Sequence, residues 1–358
     1  MEILLCTLFL AYGVALYSRI LAHPLPLSEY GLRYRPSWLP AILASMALVL
    51  VAGLRNNIGD TFSYMHAYRY GVFTWSSLDF SKDFGFNILQ LLLKQISDDP
   101  QLLVFVTATV TTGLIVRILY RYSRMYELSL YLYITTGMFT TSMNGIRQFL
   151  AAAILFAGTR YLLNGDWKRF FLLVLFASTV HRSALVLLPL YFLVRAPAWT
   201  KQTFLLIGGA ILIVLGFNQI SGTVFSVIQD TQYGHYSSFS EGGASLVRVL
   251  VAAAPLAIAF YGRHKLKLLS PQLDPIINLS LLNVLVLLIA TQNWIFARFT
   301  IYFGLYPLLL IPWLVKVFRE KDQKLFYYVL ILFYLLFFLY ECIIAYGGLQ
   351  YGSRYLVF

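Results

Sequence analysis

Apolar runs of about 15–20 residues recur from residue 2 to residue 345, separated by short polar links. Runs of that length suit helices crossing the hydrocarbon core of a bilayer, where every backbone N–H and C=O has to be paired within the segment. The expected fold is therefore all-α. It is a polytopic transmembrane helix bundle of roughly 12 spans or half-spans, read as one integral membrane domain over residues 1–358. With 59% hydrophobic and only 12% charged residues, the composition excludes an ordinary soluble domain.

The net charge of +12 would suggest nucleic acid in a soluble protein. Here most Lys and Arg flank apolar runs, which points to topology and anionic headgroups and argues against nucleic-acid binding. Arg19, Arg33 and Arg35 face one acid, Glu29, in the first link; Arg117, Arg121 and Arg124, then Lys168 and Arg169, then Arg263, Lys265 and Lys267, then Lys316 and Arg319, mark later cytoplasmic ends. Both termini are thus expected to be extracytoplasmic. Residues 55–100 form an extracytoplasmic loop with an interfacial helix over 84–97, and 219–245 form a second such loop. Residues 169–180 and 183–195 are short and meet at His181-Arg182, so they are either a pair of short spans or a re-entrant hairpin. Cys6 and Cys342 lie inside apolar runs and say nothing about redox compartment. The first run lacks a basic leader and reads as a retained helix.

The most informative polar stretch is Met143-Asn144-Gly145-Ile146-Arg147-Gln148-Phe149. At helical spacing Asn144, Arg147 and Gln148 share one face at the mouth of an apolar segment. An arginine at the edge of hydrocarbon is kept for a partner, an ion path or an anionic ligand, or else snorkels to headgroups. The topology also places Arg55, Asp60, Arg69, His181, Arg182, Arg248 and Arg298 at outer helix ends. An anionic, phosphate-bearing ligand would explain these arginines; internal pairing, as between Arg55 and Asp60 or with Asp79, Asp83, Asp230 and Glu241, is the alternative. Asp60, Tyr64 and Tyr68 fall at i, i+4 and i+8, as do Arg298, Tyr302 and Tyr306. Such stripes serve either sugar stacking or plain packing. His181 sits between two apolar half-segments, where an imidazole can act as a base or be structural. There is no phosphate loop, HExxH, GxSxG or CxxC pattern, and nothing calls for a metal or a cofactor.

Taken in order, Gly53-Leu54-Arg55, Ile58-Gly59-Asp60-Thr61 with Tyr64, Asp83-Phe84-Gly85-Phe86, Asn144-Gly145-Ile146-Arg147-Gln148, His181-Arg182-Ser183-Ala184 with Pro189, and Arg298 with Tyr302-Phe303 resemble the EpsG family. These are Wzy-type polymerases of bacterial exopolysaccharide, capsule or O-antigen. The resemblance implies a glycosyltransferase of the plasma membrane whose active site faces outward. It would transfer a growing glycan from polyprenyl diphosphate to a hydroxyl of the next lipid-linked repeat unit. Donor and acceptor are both polyprenyl-diphosphate-linked oligosaccharides, and a chain-length regulator and a flippase of the same pathway are possible partners. Under that reading Arg147, Arg298, Arg55 and Arg182, with Asn144, Gln148, Tyr64 and Tyr302, bind substrate, and His181 or Asp60 is the base, His181 being favoured. A glycosyltransferase using a polyprenyl-phosphate sugar, a glycan ligase and a flippase are the alternatives.

Overall fold

The computed structural model describes all residues except 26–30, 33, 78, 81, 220, 223–241, 346 and 357–358, and it is 77% helical with almost no sheet. The expected all-α bundle is what forms. Its only strands among the described residues are the two-residue pair His23–Pro24 and Tyr34–Arg35. The helices are α1 (Glu2–Ile20), α2 (Trp38–Gly53), α3 (Thr61–Tyr70), α4 (Phe84–Lys94), α5 (Gln101–Tyr122) and α6 (Tyr126–Thr135). Then come α7 (Met138–Asn144), α8 (Ile146–Ala157), α9 (Thr159–Asn164), α10 (Trp167–Val180), α11 (Leu187–Val194) and α12 (Lys201–Leu215). The last set is α13 (Leu246–Tyr261), α14 (Arg263–Leu269), α15 (Asp274–Ile289), α16 (Thr300–Phe303), α17 (Pro307–Leu314) and α18 (Glu320–Leu339). Most of the 219–245 loop, with Asp230 and Glu241, lies outside the described residues.

Among the described residues four helices are long and apolar enough to cross a membrane: α1, α5, the Pro271–Ile289 segment, and α18 continued to Ala345. Two bent pairs are apolar enough to make two more if each is one broken span, α13 with α14 at 79° and Trp294–Phe303 with Pro307–Val317 at 65°. Half-helices thus replace several of the single spans expected from the apolar runs. The breaks fall at glycine: 137, 145, 158, 262 and 304 each separate two such pieces. At Gly137 the reason is local, because φ is +79° there and a side chain would disfavour that conformation.

Every residue of α6 is buried, and α17 is buried from Leu308 to Leu314, so these two lie in the middle of the bundle. An apolar helix such as α17 belongs there, and the one charge on α6, Glu127, is met by Arg19. The periphery is apolar too: Phe9 and Leu10 on α1, Leu205 and Leu212 on α12, and Leu332 and Leu336 on α18 are exposed. That surface fits lipid, as the hydropathy requires.

The stretch 167–195 is a helical hairpin. Phe170 and Tyr191 pack across its base with ring centroids 5.2 Å apart, which puts the tip midway, at His181-Arg182. Its first leg is about 20 Å long, short of the roughly 30 Å of a hydrocarbon core.

Two ends of the bundle are distinguishable. At one, the amino group of Met1 donates to Leu349 O (3.3 Å), Ser353 Oγ to Leu54 O (2.7 Å) and Asn57 Nδ2 to Gln350 O (3.2 Å), so both termini and the Arg55 turn gather there. At the other, Arg19 pairs with the buried Glu127, and Arg124 donates to Gly31 O at 3.0 Å.

Candidate functional site

The site is assembled on the turn after α2. Arg55 is 1% exposed, and its guanidinium donates to Thr61 Oγ1 (3.0 Å), Met143 O (2.7 Å) and Ala52 O. It therefore braces the α2 terminus against the break between α7 and α8 from within the core. The Arg55–Asp60 pairing weighed from the sequence is not made among the described ion pairs. Asn144 completes the turn: its Oδ1 accepts from the Asp60 N–H at 2.9 Å. Gly59 lies beneath it with φ +52°, where a Cβ would collide with the Asn144 side chain.

The break at Gly145 alters the geometry expected of the central motif. Asn144 ends α7 while Arg147 and Gln148 open α8, so the three side chains do not share one continuous helical face. Arg147 turns towards α3 and α4, donating from Nε to the Tyr64 hydroxyl (3.1 Å) and from Nη1 to Asp83 Oδ2 (3.1 Å). Gln148 turns the other way, and its Nε2 donates to Arg298 O at 2.9 Å.

Arg147 belongs to a cluster centred on Asp83, just before α4. The Asp83 carboxylate is 3% exposed; Oδ2 accepts from His181 Nδ1 at 2.9 Å, and Oδ1 from the Arg182 N–H at 2.9 Å. Burial pushes this carboxyl up, but the hydrogen bond and charge of His181, the Arg182 N–H and the Arg147 charge outweigh it and hold it below the usual carboxylate range. An ionised carboxylate can only accept, so His181 carries a proton on Nδ1. Arg182 contributes its backbone here, and its side chain is exposed. Ser183 Oγ, one residue on, lies 2.7 Å from the Tyr302 hydroxyl, tying the hairpin tip to α16. Tyr302 is 2% exposed, and Tyr68 and Tyr306 are equally buried, so those members of the tyrosine stripes pack in the interior.

Beside this cluster is a cavity of about 370 Å³ between the α7–α8 break, α13, α15, the 294–311 segment and the end of α18. Asp60, Asn144, Gln148, Arg248, Arg298 and Glu341 line it. So do apolar side chains, among them Met138, Val251, Leu287, Ile311 and Phe337. Arg298 lies over the Trp294 ring at 5.4 Å from its centroid. Arg248 faces Glu341 edge-on, with Nε 2.9 Å from both carboxylate oxygens and Nη2 2.6 Å from Oε2. Glu341 is 7% exposed and sits in a π-helical turn, Tyr340–Ala345, a geometry frequent at functional sites.

Of the residues singled out from the sequence, Asp60, Asn144, Gln148, Arg248 and Arg298 line this cavity. Arg147, Tyr64 and His181 join through Asp83 instead, and Arg55 lies in the scaffold behind both. Asp83 and Glu341 were missed as site residues. The one signal for Glu341 was an acid inside an apolar run, which is costly unless partnered.

Fold and site together define a polytopic helical membrane protein with a charged, partly apolar cavity at one end of its bundle. The chain belongs to the EpsG family, which it matches over residues 38–353, nearly its whole length, in keeping with a role in polysaccharide biosynthesis of the polymerase kind. No curated protein and no solved structure matches it.

Proposed function

We propose that this protein is a polymerase that joins polyprenyl-diphosphate-linked oligosaccharide repeat units on the outer face of the bacterial plasma membrane. The observation that carries the reading is the cavity itself: two arginines and two acids share walls with a long apolar surface, a combination suited to a charged head on a lipid tail. The acceptor hydroxyl attacks the anomeric carbon of the donor glycan. The carbon–oxygen bond to the diphosphate breaks, its electrons leave with the polyprenyl diphosphate, and the hydroxyl proton passes to a base. Arg298 would neutralise the diphosphate as charge builds on it, with Arg147 at the adjoining rim. Asp60 lines the cavity and His181 does not, so Asp60 is better placed to take the proton, although the Asp83 bond to His181 Nδ1 leaves the other ring nitrogen, Nε2, as an acceptor. His181 and Asp83 then act as positioning residues, fixing the hairpin tip against α4 and aligning Arg147. The outward orientation rests on the concentration of Lys and Arg at the ends of the apolar runs away from the site.

The test is purified protein in lipid nanodiscs, supplied with short lipid-linked repeat units extracted from producing cells that lack the gene. A ladder of glycans spaced by whole repeats is expected, and Arg298→Ala or Asp60→Asn should abolish it. A product extended by one sugar, or no product from well-folded protein, would sink the reading.

A further inference from the structure

The segment 349–356, which follows the π-helical turn after α18, joins two of the elements that line the cavity. Its first residue is fixed to that turn: the Leu349 N–H donates to Cys342 O at 2.9 Å, next to Glu341. Gly347 and Gly348, with φ of +60° and +89°, lead into this contact in conformations that suit glycine. Three residues further on, the segment grips the turn after α2. Gly352 O accepts from the Asn56 N–H (3.0 Å), the Gly352 N–H donates to Asn57 Oδ1 (2.6 Å), and Asn57 Nδ2 donates to Gln350 O (3.2 Å). The hydroxyls of Tyr351 and Ser353 donate to Val51 O (2.8 Å) and Leu54 O (2.7 Å) on either side. The fit is close, since a Cβ on Gly352 would lie 2.6 Å from Asn56 Oδ1 and 2.9 Å from Asn57 Cγ.

We infer that this segment is a strap that holds Asp60 in place, with Asn57 and Gly352 as positioning residues. The inference rests on the polymerase reading, in which Asp60 takes the acceptor proton. Asp60 stands three residues beyond Asn57, and Asp60 and Glu341 both line the cavity. The elements that carry these two acids are thus tied through Leu349 to Gly352, three residues that can span only about 10 Å. Arg55 grips the same turn from the core and Asn144 holds the Asp60 N–H, so the strap secures the residues between them, Asn56 and Asn57. The bonds to Asn57 lie at the protein surface and stabilise the bundle little. A shift of about 1 Å in a reacting group, by contrast, can slow a reaction about 100-fold. Loss of the strap should therefore show in the reaction before it shows in the fold.

The experiment compares Asn57→Leu, which removes the grip, and Gly352→Val, which forces the two chains apart, with wild type in nanodiscs. Both variants should make glycan about 10- to 100-fold more slowly at saturating repeat unit. Undecaprenyl diphosphate should bind them as it binds wild type, and the melting temperature should stay within about 3 °C. Asn57→Asp, which keeps the acceptor for the Gly352 N–H, should restore most of the rate. Hydrogen exchange gives a second reading that needs no reaction: amides 56–61 should exchange faster in Asn57→Leu, and those of α15 should not. Wild-type rates in both variants, a rate that falls only in step with the melting temperature, or an aspartate as poor as the leucine would overturn the strap. A wild type that makes no ladder would instead remove the polymerase reading, and exchange would then decide. Faster exchange at 56–61 would keep the strap as the brace of Asp60, and unchanged exchange would end it.

Discussion

Asp83 is where the chemistry of single residues is most exposed to test. Its depressed titration means that it adds stability above the unfolded carboxylate value near 4, and that this is lost as pH falls through the lower folded one. The melting temperature of wild-type protein is therefore expected to fall as pH drops below about 4. Asp83→Asn should flatten that part of the profile, and equal slopes would show that the carboxylate is not held ionised by its neighbours. Removing Arg147 is a different experiment, because Asp83 keeps His181 and the Arg182 N–H. Arg147→Ala should cost only about 1 kcal/mol of stability, given that its side chain is 38% exposed, yet reduce polymer synthesis at least about tenfold. Arg147→Lys should not rescue synthesis, since one ammonium cannot reach the Tyr64 hydroxyl and Asp83 as the forked guanidinium does. Normal glycan length on a gel from either variant would remove Arg147 from the mechanism. Asp60, Asn144, Gln148 and Arg298 were legible in the sequence because each stands at the polar edge of an apolar run. Asp83 was legible only as one of several acids that the outer arginines could pair with, as Arg147 does, because its partners Arg147 and His181 lie 64 and 98 residues away and no local pattern joins them.

At the scale of elements, the seat of α4 against the hairpin leg α10 decides whether Asp83 meets His181. Gly85 permits it: a Cβ there would collide with Thr179 Oγ1 and come within 2.9 Å of Thr179 Cβ and 3.0 Å of its carbonyl carbon. Gly85→Ala touches no site residue, yet it should cost about 1–3 kcal/mol and shorten or abolish the polymer by lifting α4. Adding Thr179→Ala should recover only part of the loss, because the backbone carbon stays in place. Full activity of Gly85→Ala would detach the α4–α10 contact from function. Helices and the hairpin tip could be read from hydropathy and from His181-Arg182 interrupting an apolar run. The breaks inside runs could not. Gly137, Gly145 and Gly158 each end a helix, whereas Gly13, Gly113, Gly208 and Gly209 lie in the unbroken α1, α5 and α12. A glycine only permits a break; the packing of neighbours chooses which ones are used.

For the whole molecule, the cavity depends on α13 and the end of α18 staying apart by a fixed amount, and the Arg248–Glu341 pair is the polar tie between them. The two residues stand 93 positions apart, and only folding shows that the positive charge near the start of one apolar run answers the acid buried late in another. The two partners are not equally buried, Arg248 being 32% and Glu341 9% exposed in their side chains, so single deletions should be unequal. Arg248→Ala strands a buried carboxylate and should cost about 2–4 kcal/mol, more than Glu341→Ala, which leaves a guanidinium within reach of water. The double alanine variant should then lose less than the sum, by a coupling of about 1–3 kcal/mol. Arg248→Glu combined with Glu341→Arg should regain most of the melting temperature, because the attraction is restored across the same gap. Thermal melts of the singles, the pair and the exchanged pair in one detergent check this directly. Strict additivity would mean that apolar packing alone fixes the distance between α13 and α18, and that the charges in the cavity wall are there for the ligand and not for the bundle.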